Sequence, residues 1–215
     1  MDNNLERIDV ETIVDTFSTL IEQGTKAVVN FFKSDTWDSV LDIGNELSKA
    51  SKVIVFIRKT ASIPDKFFMN KMEKYCQGLI SIPKEKRAKY AKKVGKAGLN
   101  KDAVFILGIL NKIEELSKIK IFLALFEAKM DEKIDEETYR RMMLLVDHTM
   151  YSDILYLKSN YTDNEIIIQT AAEQGLYANG WLIYCGQTWG TATEDGNFIY
   201  QYTKTAKQFY ELISL

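Results

Sequence analysis

The chain holds one histidine, His148, and two cysteines, Cys76 and Cys185, 109 positions apart. Zinc frameworks need clustered Cys and His, and a disulfide-built secreted domain needs many Cys in a short chain. Neither pattern is present. Nucleophilic catalysis by Ser or Cys needs a base, and His148 is the only side chain of the usual kind near neutral pH. It lies in Val146-Asp147-His148-Thr149-Met150, within a helical pattern, and no Gly-x-Ser-x-Gly elbow accompanies it. An ordinary helix histidine beside Asp147 is therefore expected. Cys76 and Cys185 have apolar or aromatic neighbours, which implies buried thiols of low reactivity.

Other chemistries fail on spacing. Gly95-Lys96-Ala97-Gly98 lacks the Walker A spacing and its following Lys-Ser or Lys-Thr. Glu127 to Thr138 places acidic residues between two helical patterns, as a calcium loop would. However, Glu132 stands where the loop needs Gly, and Thr138 where it needs a bidentate carboxylate. The adjacent pairs Glu114-Glu115 and Glu136-Glu137 point along different directions on a helix, so solvated faces explain them better than acid/base work. No catalytic, cofactor or metal residue is assigned, no cofactor is expected, and an enzyme with an unrecognised carboxylate site ranks third among the functional readings.

Charge is the stronger signal. Residues 1–130 carry 22 Lys+Arg against 17 Asp+Glu, net +5, whereas residues 131–215 carry 6 against 13, net −7. Lys84, Lys86, Arg87, Lys89, Lys92, Lys93, Lys96 and Lys101 form one dense basic stretch with Glu85 as its single acid. Such a stretch creates a local field suited to an anionic partner, although a solvated helix face backed by Tyr90 and Val94 is the favoured reading, since charge runs usually solubilise.

The elements that would carry these residues are set by apolar spacing. Val10, Ile13, Val14, Phe17, Leu20 and Ile21 recur at three and four over 8–32, and a second helical pattern runs from Asp35 to Ile57. Ser62-Ile63-Pro64 and Ser81-Ile82-Pro83 start two more helices, the second being the basic one, ended by Gly95 and Gly98. Asn100 can cap a long central helix reaching about Lys129, and Asp135 another running on to Leu157. Thr162-Asp163-Asn164-Glu165 has the form of a capping box for a short helix that ends at Gly175. Trp181 to Cys185 and Phe198 to Tyr202 read as two strands of a hairpin, and Thr203 caps a last helix. Strands are expected only from about residue 176. No apolar run approaches the roughly 20 residues of a membrane span, and Met1 to Glu6 lacks a signal-peptide pattern. The chain thus reads as cytoplasmic.

This order resembles a winged helix-turn-helix domain over about residues 136–215: a helix, a short helix closing in Gly175-Leu176-Tyr177, the hairpin, then Tyr202-Thr203-Lys204 and a terminal helix. The chain as a whole resembles bacterial proteins with a helical body, to which no activity is attached. The expected fold is mainly α: a multi-helix body over 1–130, then a winged-helix-like module over 131–215 with one β-hairpin. The resemblance implies that residues Asp163 to Gln174 match the helix that enters the DNA groove and Gly186 to Asn197 the wing. Here the pattern departs from the family. Those segments carry Asp163, Glu165, Glu173, Glu194 and Asp195 and no Lys or Arg. Phosphate contacts need cations, so this surface repels a duplex. Asp163, Glu165, Gln169, Glu173 and Trp189 become a candidate protein-contact surface. The leading expectation is a non-enzymatic regulatory or interaction protein with a protein partner or self-association. The second is a nucleic-acid-binding regulator that uses the basic helix 84–101.

Overall fold

The computed structural model describes residues 66–188 and 196–213. The helices read over 8–32 and 35–57, and Trp189, lie outside the described residues. The protein is mainly helical, with one C-terminal two-stranded antiparallel hairpin. Seven helices are found among the described residues: α1 (Lys66–Ser81), α2 (Lys84–Lys112), α3 (Lys118–Met130), α4 (Glu136–His148), α5 (Tyr151–Asn160), α6 (Ala171–Ala178) and α7 (Lys204–Ile213). Strands β1 (Leu182–Gln187) and β2 (Phe198–Tyr202) lie between α6 and α7. No helix among the described residues is long and apolar enough to cross a membrane.

Two compact units are present, Met1–Lys112 and Ile113–Leu215. In the first, α1 packs on α2, burying Tyr75, Cys76 and Leu79 of α1 and Ala103, Ile106 and Leu110 of α2. Gly95 interrupts α2 with φ 67° and ψ 179°, a conformation open essentially to Gly alone. The expected break at Gly95 is found, but helix resumes at once. Asn100 lies inside it rather than capping it, and Gly98 packs within it, where an added Cβ would stand 2.7 Å from Val94 Cβ.

The long central helix expected from Asn100 to Lys129 is two helices. α2 ends at Lys112, residues 113–117 are non-helical, and α3 starts at Lys118. The second unit holds this break in place. Buried Lys118 donates from Nζ to the Asp147 carbonyl at 2.9 Å, and Glu115 accepts the Tyr151 amide at 3.1 Å, capping α5. Glu115 is exposed, as read from the sequence, and its carboxylate serves in addition as this cap. Helix α3, grouped with the first domain on charge, packs against α4 and α7 of the second unit.

The turn after α3 answers the calcium-loop question. Lys133 N–H bonds to Ala128 O and Glu132 N–H to Lys129 O, each at 3.0 Å, with Glu132 at φ 61°. This is a Schellman C-cap, in which the left-handed position is usually Gly. An L residue there is disfavoured by about 1–2 kcal/mol, partly offset by the entropy Gly adds to the unfolded chain. Glu132→Gly should therefore raise stability by about 0.5–1 kcal/mol, read as a higher urea midpoint at unchanged slope.

Asp135 caps α4 as expected, accepting the Thr138 amide at 2.8 Å, and Tyr139, Met142, Met143 and Val146 form its buried face. The helix read through to Leu157 stops at His148, because Thr149 leaves it. Thr149 is buried, donates to Leu145 O at 2.6 Å and accepts Trp181 Nε1–H at 2.7 Å. Trp181 in turn packs on Phe209 of α7, ring centroids 4.7 Å apart. Thr203 caps α7 by accepting the Ala206 amide at 3.1 Å.

The capping box stands elsewhere than expected. Thr162 only accepts the Asn164 amide in a local turn, and no helix starts there. Ile166-Ile167-Ile168 stays extended, with Ile166 and Tyr200 exchanging both backbone hydrogen bonds at 2.9 Å. Three successive β-branched residues lose rotamer freedom in a helix and suit extended pairing. The box is Thr170 with Glu173, opening α6. Both named strands lie after residue 176, as the spacing predicts, and Ile166 adds one isolated pairing before it. Gly175 of α6 has its own constraint, since a Cβ there would come 2.2 Å from Asp153 Oδ2 of α5.

Candidate functional site

Among the described residues, the hairpin carries three exposed large apolar side chains, Ile183, Tyr184 and Phe198. Its strands pair Leu182 with Tyr202, Ile183 with Gln201 and Tyr184 with Tyr200, then shift register between Tyr184 and Gly186. The extra residue at this bulge is Cys185. Alternation places Tyr184, Phe198 and Tyr200 on one face and Ile183 and Ile199 on the other. A hairpin packed on a core would bury one face. Here Ile183 and Tyr184 are each 50% exposed and Phe198 55%.

The aromatic face is continuous. Tyr177 of α6 meets Tyr200 edge to face at 4.8 Å, Tyr200 meets Tyr184 at 6.0 Å, and Tyr184 meets Phe198 at 5.9 Å. Where α5 meets α7, Tyr161 stacks on Tyr210 at 4.6 Å and contacts Tyr202 at 5.1 Å. Burial, then the Tyr156 and Glu173 side chains, push the Tyr202 hydroxyl up to about 12. Burial and the hydrogen bond to Asp163 raise Tyr161 still further. These phenols stay protonated at neutral pH and can donate.

The residues named for protein contact do not share one helix. Asp163 lies in the turn after α5, Glu165 and Gln169 lie on the extended segment before α6, Glu173 lies on α6, and Trp189 falls outside the described residues. Asp163 accepts from Tyr161 Oη at 2.7 Å and pairs with Lys207 at 3.0 Å. Glu165 is exposed beside Gln201, and Gln169 is exposed with its amide bonded to Glu173. Glu173 is largely committed to its own fold: it accepts the Gln169 and Thr170 amides and the Tyr156 hydroxyl, at 2.7, 2.9 and 2.8 Å. Burial pushes its carboxyl up, but these donors outweigh it and hold it below the usual range. The aromatic face is not evident from the sequence because it depends on register. The alternation Phe198-x-Tyr200-x-Tyr202 is its one visible signal.

In the basic stretch, Lys84, Lys89, Lys92, Lys93, Lys96 and Lys101 are exposed and Lys86 is half-buried. Lys89, Lys92 and Lys93 sit at helical spacing on one side of α2, before the kink. Arg87 is different. It is buried and donates from Nε to Ile82 O at 3.1 Å, tying the start of α2 to the preceding turn. Burial lowers its pKa and Glu85 acts the other way.

His148 is exposed in the last turn of α4. Cys76 is buried, as its neighbours suggest, whereas Cys185 is exposed at the bulge, correcting that expectation. Among the described residues, no group of three His, Cys, Asp or Glu could hold a metal ion. Glu136 is engaged by Lys129 and Arg140, with Lys129 Nζ 4.7 Å above the Tyr139 ring. Burial raises the Glu136 carboxyl, but the two cations outweigh it and set it below its ordinary value. A carboxylate depressed in the folded state stabilises it fully above its unfolded pKa of ~4.3, and that contribution disappears as pH falls through the folded value. Glu136→Gln should flatten the acid side of the melting-temperature profile below about pH 4.5 and leave its shape at neutral pH unchanged.

Comparison with protein-family models, curated proteins and solved structures finds no match for this chain.

Proposed function

We propose that this chain is a non-enzymatic, cytoplasmic regulatory or protein-interaction protein. In this reading its C-terminal unit is a winged-helix-like module that meets protein through the hairpin. The observation that carries the reading is the aromatic face of Tyr177, Tyr184, Phe198 and Tyr200, contiguous and largely open. Exposed apolar patches mark interaction sites, and Tyr and Phe are enriched in interface centres. The order of α5, the Ile166 pairing, α6, β1, β2 and α7 suits a winged helix. The acidic balance of the second unit, 9 Lys+Arg against 16 Asp+Glu, suits protein rather than phosphate.

The exposed lysines Lys89, Lys92 and Lys93 favour one alternative, a nucleic-acid-binding regulator working through α2. Two measurements separate the readings. Affinity capture with the full chain should retain a protein that is lost with the Tyr184→Ser/Phe198→Ser variant. Duplex and single-stranded probes should bind only weakly at about 0.15 M salt, where the Debye length is roughly 8 Å. Sub-micromolar, sequence-dependent DNA binding, abolished by Lys89→Glu/Lys92→Glu/Lys93→Glu, would assign the function to the basic helix instead.

A further inference from the structure

We infer that the aromatic face of the hairpin is a recognition surface for an arginine-bearing segment of a partner protein, whose guanidinium groups lie on the Tyr184, Phe198 and Tyr200 rings. The inference rests on the protein-interaction reading above and names the partner's chemistry. Three observations carry it.

The first is charge. From Ser159 to Thr203 the chain has no Lys or Arg across 45 residues, yet it has Asp163, Glu165, Glu173, Glu194 and Asp195. This stretch contains α6, both strands and the extended segment beside them. The aromatic face therefore belongs to a stretch of net charge −5 that contains no cation to compete for the rings.

The second is ring geometry. Tyr177–Tyr200, Tyr184–Tyr200 and Tyr184–Phe198 meet with interplanar angles of 69°, 69° and 71°. Where two rings meet edge to face, the ring that presents its edge keeps both π faces clear of that contact. Those faces carry the negative side of the ring quadrupole, which attracts a cation within about 6 Å of the centroid. Arg fits better than Lys because its guanidinium is planar, stacks on a ring and is weakly hydrated.

The third is the neighbouring carboxylate. Glu173 stands one helical turn before Tyr177 on α6 and is close enough to Tyr202 to act on its hydroxyl, so it adds negative potential on the side of the sheet that carries Tyr200. Glu165, bonded to Gln201, lies on the opposite face. An anionic partner such as nucleic acid finds the opposite sign here, and a purely apolar partner gains nothing from the surrounding charge.

The test uses the full chain and three fluorescent peptides of equal length: one alternating Arg with Gly and Ser, one with Gln for every Arg, and one with Lys for every Arg. Anisotropy titration should show binding strongest for the Arg peptide, weaker for Lys and absent for Gln, and weakening as salt rises. Tyr184→Ala/Phe198→Ala should weaken Arg-peptide binding by roughly tenfold, as expected for the loss of two exposed cation–π contacts. Tyr184→Phe/Phe198→Tyr should preserve it. Both positions are about half exposed, so thermal melting of the alanine variant reports whether the fold is intact. Equal binding by the alanine variant and wild type would mean diffuse charge attraction and overturn the proposal, as would equal binding of the Gln peptide. In either case, loss of a captured protein from the Tyr184→Ser/Phe198→Ser variant would leave the interaction reading standing. Concentration-dependent self-association abolished by the same substitutions would give the face to a second copy and overturn the arginine assignment.

Discussion

Trp181→Ala should cost the C-terminal unit about 3–5 kcal/mol, the range for truncating a large buried aromatic. Trp181 is fully buried just before β1, and four links converge on it. Its indole N–H donates to Thr149 Oγ1, its ring lies 4.7 Å from Phe209, its amide bonds to Leu176 O, and its carbonyl accepts the Thr203 amide. The residue thus joins the α4–α5 break, the end of α6, the base of the hairpin and the start of α7. Typical domains are stable by only about 5–15 kcal/mol, so this single loss consumes much of the margin. Urea unfolding followed by far-ultraviolet circular dichroism measures it. Thr149→Val, which removes the acceptor of the Trp181 N–H together with the hydroxyl's own bond to Leu145 O, should cost about 1–3 kcal/mol, chiefly for leaving a buried N–H unpaired. A double-mutant cycle of Trp181→Phe with Thr149→Val should give a coupling near 1 kcal/mol, about the net value of one neutral hydrogen bond. A loss below about 1 kcal/mol for Trp181→Ala would contradict the packing described, since only surface positions behave that way.

Features decided locally are legible in the sequence. Asp135 and Thr203 are caps whose side chains bond an amide three residues on, and both are found where the spacing places them. The strands are legible for the same reason, being short β-branched and aromatic runs separated by Gly, Thr and Asp. The breaks at Ile113–Ser117 and Thr149–Met150 are not legible, because neither contains Gly or Pro. They are imposed by tertiary partners: Lys118 and Glu115 at the first, Trp181 at the second. The misplaced capping box is instructive in a different way. Thr162…Glu165 and Thr170…Glu173 have the same form, and only their neighbouring residues distinguish them: Ile-Ile-Ile after the first, and Ala-Ala within the second. Propensity decides between two equal caps.

The site divides along the same line. Charge is additive along the chain, so the acidic character of the C-terminal unit and the basic stretch are plain from composition. The aromatic face is assembled from α6, β1 and β2 and needs the register that sets Tyr184 opposite Tyr200, which a bulge at Cys185 then shifts. Arg87 shows the converse limit. It counts as one of eight cations in the sequence, but its side chain is buried and bonded to Ile82 O, so it contributes to the fold rather than to the surface field.

The kink in α2 is the other place where a small change should have a large effect. The Tyr90 hydroxyl donates to Asp102 Oδ2 at 2.5 Å, and both groups are buried. Tyr90 precedes Gly95 and Asp102 comes after it, so this bond spans the kink and fixes the angle between the two parts of the helix. Gly95 permits that angle through its φ of 67° and ψ of 179°, and an added Cβ would meet nothing within 4 Å. Any penalty for Gly95→Ala is therefore one of backbone conformation, about 1–3 kcal/mol for this region. Tyr90→Phe should cost about 1.5–3 kcal/mol, because it removes a hydrogen bond to a buried carboxylate. Each substitution attacks the same arrangement, since a helix that straightens at position 95 pulls Tyr90 away from Asp102. The double variant should accordingly lose less than the sum of the two, by about 0.5 kcal/mol or more, the range typical of coupled neighbours. The kink also sets how Lys89, Lys92 and Lys93 before it lie relative to Lys96 and Lys101 after it. If α2 binds an anionic partner through both groups, Gly95→Ala will weaken that binding even at temperatures where the variant remains folded; if the lysines are only a solvated face, stability will fall and no binding will change.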